Sequence, residues 1–230
     1  MELYKHYSFD LWLTLIKSNP LFKLERAKLF HTKYNNCNKS FDEVATIFRQ
    51  VDLMCNSINE KTGKNIDADE MYLMVISGIN NYNPDFMGVD LQGLADDMEA
   101  LLFMYPPLIY CGETKNMLSR LKESGRATVS LLSNTGFIKG ATLRRVLTNL
   151  ELDKLIDFQL YSDEVRLSKP NVEFFQLMLD TIDRDKHREI GLHEIVHIGD
   201  NPVADILGAK AAGIKSVLIN SNQQTISCLL

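Results

Sequence analysis

The stretch HYSFDLWLTL, residues 6–15, places a carboxylate at the end of an apolar segment. The pattern of apolar residues predicts a buried β-strand over Lys5–Phe9 that runs directly into Asp10. Trp12, the only tryptophan of the chain, follows two residues later. A buried carboxylate is costly unless it is paired or binds a cation, so we expect partners for Asp10 elsewhere in the sequence.

The composition narrows the class of protein before any motif is considered. The 230 residues carry 30 acidic and 25 basic side chains, and without a run of Lys or Arg this balance gives no support for nucleic acid binding. No signal peptide pattern opens the chain, and no apolar run reaches the length of a membrane span. The widely spaced cysteines predict free thiols in a reducing cytoplasm (Cys37, Cys55, Cys111 and Cys228). The oligomeric state stays open.

Strand and helix patterns alternate over much of the chain, which predicts an α/β fold. Such alternation favours a Rossmann-like, doubly wound parallel sheet with helices on both faces. The predicted strands are Lys5–Phe9, Ala127–Leu132, Asp157–Leu160, Glu194–Ile198 and Lys215–Ile219. The predicted helices between them are Thr114–Ser124, Phe137–Leu150, Asn171–Ile182 and Asn201–Ala212. The last of these is expected to open with Asn201 as its cap and Pro202 at the first helical position.

One region breaks this alternation and predicts an inserted, all-helical domain over 19–107. Apolar residues recur there at three- and four-residue spacing, which is typical of helices that bury one face. The predicted helices are Leu21–Tyr34, Phe41–Glu60, Ala68–Ile79 and Asp90–Met104. The core domain would then consist of residues 1–18 and 108–230.

Chemically useful side chains follow several of the predicted strands. Because ligands bind at the carboxyl ends of parallel strands, we expect these side chains to share one edge of the sheet. Carboxylates that face one another need a cation between them, and oxygen ligands suit Mg²⁺. A lysine would neutralise a carboxylate or hold an anionic substrate. The residues at this edge are Asp10, Ser133, Asn134, Lys169, Asp200 and Asp205.

Four stretches in this order resemble the motifs of the haloacid dehalogenase-like (HAD) superfamily of hydrolases. They are FDLWLTL (9–15), LLSNTG (131–136), LSKP (167–170) and GDNPVADILGAKAAG (199–213). Taken singly, their residues also fit ordinary turns, helix caps or surface positions. Taken together on the predicted elements, they make the resemblance specific, and the helical insertion matches the cap that the family places after its first motif.

The resemblance implies roles for five residues in phosphoryl chemistry. Asp10 corresponds to the nucleophile, which forms an aspartyl-phosphate, and Thr14 matches the threonine that follows it. Ser133 corresponds to the hydroxyl that binds the transferred phosphoryl group, with help from backbone amides near Asn134. Lys169 corresponds to the cation that steadies both the nucleophile and the phosphate. The implied substrate is a small phosphorylated metabolite.

The resemblance also implies a Mg²⁺ site. Asp10 and Asp200 would bind the metal directly, and Asp205 would bind it directly or through its neighbours. The fourth ligand would be the backbone carbonyl of Trp12.

Trp12 departs from the phosphatases of this family, which usually carry a second aspartate at that position. That aspartate protonates the leaving oxygen and then activates water, and losing such a group costs about 10²–10⁴ in rate. The neighbouring Leu13 replaces a common glycine, so the local turn is expected to differ. Trp12 would then be part of the substrate pocket wall rather than an acid.

Three functions stay open at this stage. The first is a phosphatase whose leaving group needs no proton or receives it from another residue, such as His31 or Tyr34 of the cap. The second is a weak or inactive protein that binds a phosphorylated ligand. The third is a metal-free dehalogenase, since that branch carries an aromatic residue at this position. The pair Asp200 and Asp205 favours the Mg²⁺-dependent phosphatase, because two more carboxylates beside Asp10 make little sense without a cation.

The segment His193–His197 spells HEIVH, which matches the HExxH signature of zinc proteases. That motif requires a helix, in which both histidines lie on one face. The β-branched residues here predict a strand, and four residues of strand separate the histidines by about 13 Å. The sequence therefore argues against a shared zinc ion.

Overall fold

The computed structural model describes residues 4–185 and 190–229. In this part of the chain there are seven strands, and five of them form one parallel sheet in the order β5-β4-β1-β6-β7. The strands are β1 (His6–Phe9), β2 (Ile16–Lys17), β3 (Leu108–Ile109), β4 (Thr128–Ser133), β5 (Phe158–Tyr161), β6 (Ile195–Gly199) and β7 (Lys215–Leu218). This sheet confirms the predicted α/β fold class.

The centre of the sheet is formed by β1, which pairs in parallel with β4 on one side and with β6 on the other. Tyr7 lies opposite Val129 and Val196 in this register. All residues of these three strands are buried, because helices cover both faces of the sheet. Their carboxyl ends therefore lie side by side, and the residues that follow them meet at one edge.

Helices account for most of the remaining chain. They are α1 (Pro20–Lys33), α2 (Phe41–Thr62), α3 (Ala68–Ile79), α4 (Leu91–Met104), α5 (Thr114–Glu123), α6 (Gly140–Asn149), α7 (Ser162–Val165), α8 (Val172–Asp185) and α9 (Gly208–Ala211). Short 3₁₀ turns lie at Asp153–Leu155, Leu192–Glu194 and Ile226–Leu229. The described helices include none with the length and apolar character needed to cross a bilayer.

The helix predicted over Phe137–Leu150 begins three residues later than expected. Phe137 packs among the aromatic side chains of the helices α2 and α3, while Ile138 packs against the core of the sheet domain. These contacts keep residues 137–139 out of the helix, which starts at Gly140.

The segment predicted as one helix over Asn201–Ala212 is a wide turn followed by a short α-helix. Residues Pro202–Leu207 are π-helical, and α9 follows at Gly208. Asn201 caps this segment as predicted, because its side chain accepts hydrogen bonds from the amides of Val203 and Ala204 at 2.8 and 3.0 Å. Such wide turns are frequent at functional sites, and this one carries Asp205.

The four helices α1–α4 bury an apolar cluster of their own. Phe30, Phe48 and Val75 lie in this cluster and are less than 5% exposed. Two of these helices begin with capping boxes, Ser40 with Glu43 and Asp67 with Glu70. The helical patterns predicted from the sequence for this region are present.

A two-stranded antiparallel ribbon, which the sequence did not predict, joins the two ends of this helical segment. Ile16 pairs with Ile109, and Lys17 pairs with Leu108. Each strand has only two residues, which is too short for a periodic pattern. Beyond the ribbon, the Asn19 side chain donates to the carbonyl of Pro106 at 3.2 Å, so the outgoing and returning chains run together.

Candidate active site

Asp10 follows β1 directly and lies at the centre of a buried polar network. Its Oδ1 accepts a hydrogen bond from Lys169 Nζ at 2.8 Å, and its Oδ2 accepts one from the Thr14 hydroxyl at 3.0 Å. Its backbone amide continues the sheet by donating to the carbonyl of Ile198 at 2.8 Å. Burial raises the pKa of Asp10 to about 6, although the charge of Lys169 opposes that shift.

Lys169 forms ion pairs with two carboxylates, those of Asp10 and Asp205. Its ammonium group is 1% exposed and lies 2.6 Å from Asp205 Oδ1. Burial by itself would lower the pKa of Lys169, but the two carboxylates outweigh it and raise that pKa. The lysine therefore stays charged between Asp10 and Asp205.

Asp205 is held on both of its carboxylate oxygens. Besides Lys169, its Oδ1 accepts from His197 Nε2 at 3.1 Å, and its Oδ2 accepts from the amide of Asn201 at 2.9 Å. Burial opposes ionisation of Asp205, but the charge of Lys169 and the hydrogen bond from His197 hold its pKa well below the usual range. Asp205 is thus a fixed, ionised group.

His197 supports Asp205 from the strand β6. Burial lowers the pKa of His197, which favours the neutral ring. An ionised carboxylate can only accept, so Nε2 carries the proton and Nδ1 accepts from the Ser8 hydroxyl at 2.9 Å. This contact was not predicted, because Asp205 lies on a turn eight residues after His197 in the sequence.

Asp200 is the third carboxylate and the least constrained one. Within the described part of the chain, no other side chain donates a hydrogen bond to it. Burial and the like charges of Asp10 and Asp205 raise the pKa of Asp200 to about 7. Carboxylate oxygens of Asp10, Asp200 and Asp205 lie within 4.8 Å of one another. Three oxygen donors at this separation suit a small divalent cation, which would remove their mutual repulsion.

The turn after Asp10 keeps a left-handed residue although leucine occupies the place of the glycine. Leu13 has a φ of 57°, in the region that glycine adopts most easily. Its amide donates to the carbonyl of Ile16 at 2.7 Å, and its own carbonyl accepts from the Asn220 side chain at 2.7 Å. These two bonds hold the turn, and the turn buries Thr14 beneath Asp10.

Asn134 positions the backbone of Lys169. Its side-chain amide donates to the Lys169 carbonyl at 3.0 Å and accepts from the Lys169 amide at 2.7 Å. Ser133, by contrast, is fully buried at the end of β4, and its hydroxyl donates to the carbonyl of Asn134 at 3.1 Å. The structure places Asn134 on the cavity wall, but Ser133 and Thr14 lie behind it.

These groups form the floor of a cavity of about 310 Å³ between the sheet edge and the helices α1 and α2. This volume lies at the small end of the range for ligand sites. Asp10, Lys169, Asp200 and Asp205 line the floor, and the half-buried Trp12 forms part of the wall. Of the residues predicted for the site, all except Ser133 and Thr14 line this one cavity.

Contacts from the helical segment close over the core, and the sequence did not predict them. The Asn201 side chain donates to Glu60 at 2.7 Å, and the Ser162 hydroxyl donates to Asn65 at 2.7 Å. The amide of Ser168 donates to the carbonyl of Gly63 at 3.0 Å. The bond from Ser168 fastens the residue after α2 to the loop that carries Lys169, and the other two bonds join the end of α2 and Asn65 to the turn after β6 and to α7.

The HEIVH segment is not a helix. His193 lies in a 3₁₀ turn rather than on the strand, and His197 lies on β6, so the helical arrangement that the zinc motif requires is not formed. Among residues 4–185 and 190–229, the one cluster able to hold a metal ion is Asp10, Asp200 and Asp205.

Gly199 is needed where β6 meets the site. A Cβ atom at this position would collide with the carboxylate of Asp205. We expect Gly199→Ala to lower the free energy of unfolding by about 1–3 kcal/mol, the usual cost of overpacking. Urea denaturation measures the change, and Gly112→Ala is the matched control, because nothing lies within 4 Å of a Cβ built there. Equal stability of the two variants would contradict the tight packing of Asp205.

Comparison with known proteins places the chain in a family. A model of the haloacid dehalogenase-like hydrolases matches residues 8–219. The Rhythmically expressed gene 2 protein of Drosophila melanogaster is 35% identical over 78 residues, which cover 34% of this chain and 29% of that protein. Ribulose-1,5-bisphosphate 5-phosphatase of Halopiger xanaduensis is 31% identical over 113 residues, which cover 49% of this chain and 43% of that one. The matches thus span less than half of these curated relatives.

Solved structures share the fold over almost the whole chain. The HAD-hydrolase YfnB of Bacillus subtilis, solved with magnesium bound, has a TM-score of 0.71 at 16% identity and covers 97% of this chain and 92% of its own. A 2-haloacid dehalogenase of Pseudomonas syringae has a TM-score of 0.63 at 18% identity, with coverages of 96% and 89%. Because the family model spans nearly all of the chain, this protein belongs to the haloacid dehalogenase-like hydrolases.

Proposed function

We propose that the protein is a Mg²⁺-dependent phosphatase that acts on a small phosphorylated metabolite through an aspartyl-phosphate on Asp10. The observation that carries the proposal is the cluster of Asp10, Asp200 and Asp205 around the buried Lys169. A metal-free dehalogenase has no need of two further carboxylates beside its nucleophile. The relative that hydrolyses ribulose-1,5-bisphosphate supports phosphoryl chemistry.

In the proposed reaction, Asp10 attacks phosphorus while the bond to the leaving oxygen breaks. Water then attacks the aspartyl-phosphate, which releases phosphate and restores the carboxylate. Lys169 holds Asp10 ionised and in place, and it offers positive charge to the phosphoryl oxygens. Asp10 and Asp200 would hold Mg²⁺, which supplies charge neutralisation for the phosphoryl group when bound. Asp205 uses both oxygens to fix Lys169 and the Asn201 amide, which favours a supporting role over direct ligation.

Trp12 restricts the leaving groups that this site can expel. An indole N–H can donate a hydrogen bond but cannot transfer a proton at useful pH. The substrate is therefore an acyl phosphate or another ester whose leaving group departs without an acid. Trp12 also leaves the aspartyl-phosphate without the usual general base, so the second half of the reaction is expected to be the slower one.

We further propose that the chain has two domains, a core (residues 1–18 and 108–230) and a helical cap (19–107). The separate apolar cluster of α1–α4 and the ribbon at their two ends support it. The cap would exclude water from the cavity and select the substrate, and the ribbon is where a hinge would lie.

A turnover assay with and without Mg²⁺ tests the proposed function. We expect acetyl phosphate to be hydrolysed only with Mg²⁺, and faster than para-nitrophenyl phosphate. Asp200→Asn should raise the Mg²⁺ concentration that gives half of the maximal rate. The control Asp96→Asn, on the exposed face of α4, should leave that concentration unchanged. Binding of phosphate without turnover of either compound would favour a ligand-binding protein. Halide release from a 2-haloacid in the presence of a chelator would favour a dehalogenase.

A further inference from the structure

Arg26 is an unusual group in the wall of the cavity. It lies on α1, is only 9% exposed, and lines the same cavity as Asp10 and Trp12. A buried charge normally has a paired carboxylate, because its desolvation is otherwise uncompensated. Among the described residues, Arg26 takes part in no ion pair, and its buried Nε has no hydrogen-bond partner.

The neighbours of Arg26 fix its position without neutralising it. The guanidinium carbon lies 4.2 Å from the centre of the Phe48 ring and 4.6 Å from that of Phe137. The Tyr72 hydroxyl lies within hydrogen-bonding reach of the Arg26 guanidinium, but burial raises the pKa of Tyr72 to about 12, so it stays neutral and adds no opposite charge. Asp52 is the nearest acidic residue that influences Arg26, and it is paired with Arg49 at 3.2 Å.

This arrangement is typical of a binding group that is preorganised for an absent anion. The two aromatic rings pack against the guanidinium and hold it in place, and no carboxylate of the described residues occupies its N–H groups, so those that Tyr72 does not use can bind a ligand. The guanidinium fork matches the two oxygens of a carboxylate or a phosphate. The wall formed by α1 and α2 carries three cations, Lys23, Arg26 and Arg49, against two carboxylates, Asp52 and Glu60, whereas the floor carries three carboxylates around one lysine.

We infer that Arg26 binds a second oxyanion of the substrate, on the side of the cavity away from Asp10. The substrate class is then a small metabolite that carries one phosphoryl group to be transferred and one further carboxylate or phosphate. This inference rests on the proposed function for the first group only. The volume of about 310 Å³ limits the molecule to a few atoms between the two anions.

Phosphonates that cannot be hydrolysed test the inference by binding alone. Propylphosphonate carries one oxyanion, phosphonopropionate adds a carboxylate, and propane bisphosphonate adds a second phosphonate. Trp12 lines the cavity and is the only tryptophan, so its fluorescence reports occupancy of this site. The titrations are made with Mg²⁺ present, on the wild type, Arg26→Gln, Arg26→Lys and Lys28→Gln. Lys28 is an exposed cation on the same helix and controls for the change in net charge.

We expect Arg26→Gln to weaken a two-anion ligand at least tenfold and to leave propylphosphonate within about twofold, with Lys28→Gln unchanged. Arg26→Lys should recover part of the loss, since it restores the charge without the fork. If phosphonopropionate loses more affinity in Arg26→Gln, the second group of the substrate is a carboxylate. If propane bisphosphonate loses more affinity, that group is a phosphate. An equal loss for one-anion and two-anion ligands, or no loss, would overturn the inference.

The outcome separates this inference from the proposed phosphatase function. Selective loss of the two-anion ligand without any Mg²⁺-dependent turnover of acetyl phosphate would keep the subsite and remove the catalytic proposal. Mg²⁺-dependent turnover of acetyl phosphate without that selective loss would keep the catalytic proposal and remove the subsite. Thermal denaturation of Arg26→Gln accompanies the titration, and retained propylphosphonate binding shows that its cavity is intact.

Discussion

Lys169→Met is expected to lower the free energy of unfolding by about 3–5 kcal/mol, because it leaves two buried carboxylates without their shared cation. Methionine keeps most of the side-chain volume, so the loss reports charge rather than packing. Lys169 is 1% exposed and contacts both Asp10 and Asp205. Mg²⁺ should restore part of the stability, since ligand binding to the folded state stabilises it.

Urea denaturation with and without Mg²⁺ measures this effect. Lys210→Met is the matched control, because Lys210 is exposed and a surface change of this kind is usually worth less than about 0.5 kcal/mol. If Lys169→Met were as stable as the control, the carboxylates would not both be ionised in the folded protein. The proposed roles of Asp10 and Lys169 would then be contradicted as well.

Trp12→Asp is expected to raise the hydrolysis of an alkyl phosphate by about 10²–10⁴-fold, the usual worth of a general acid or base. The same change should affect acetyl phosphate much less, because acetate departs without a proton. The ratio of the two rates is therefore the informative quantity. A gain for the alkyl phosphate alone shows that the introduced aspartate supplies a proton to the leaving group, whereas an equal gain for both substrates shows that the site has become more active in some other way.

Trp12→Asn is the control for this second prediction. Asparagine has nearly the shape of aspartate and removes the same indole, but it supplies no acid. If the rate of alkyl phosphate hydrolysis rose equally in both variants, the indole would be acting as a steric block. If neither gained and both bound phosphonates normally, the remaining groups would not be competent for phosphoryl transfer, and a ligand-binding role would be favoured.

The core of the fold and most of the site residues follow from local patterns. The apolar and β-branched residues of β1, β4 and β6 mark these strands, which were predicted within one or two residues, although His6, Ser8 and His197 are buried polar side chains. Their parallel arrangement then requires Asp10 and Asp200 to lie at one edge. The Asn201 cap was also predicted, because it depends only on neighbours in sequence.

Features that depend on how distant segments pack were not predictable in this way. The bond from His197 to Asp205 requires the π-helical turn, which no sequence pattern marks. The pairing of Ile16 with Ile109 joins strands of two residues each. No sequence pattern marks Arg26 as buried, and only the packing of α1 against Phe48 and Phe137 makes it a buried cation.

Detection of a phosphoryl group on Asp10 tests the central claim most directly. The protein is mixed with acetyl phosphate and Mg²⁺, quenched in acid, and examined by mass spectrometry of the intact chain and of the peptide that contains Asp10. Because Trp12 offers no base for the second step, we predict that the adduct accumulates towards one phosphoryl group per chain and is absent in Asp10→Asn. Turnover without any adduct, or an adduct that persists in Asp10→Asn, would contradict the aspartyl-phosphate mechanism.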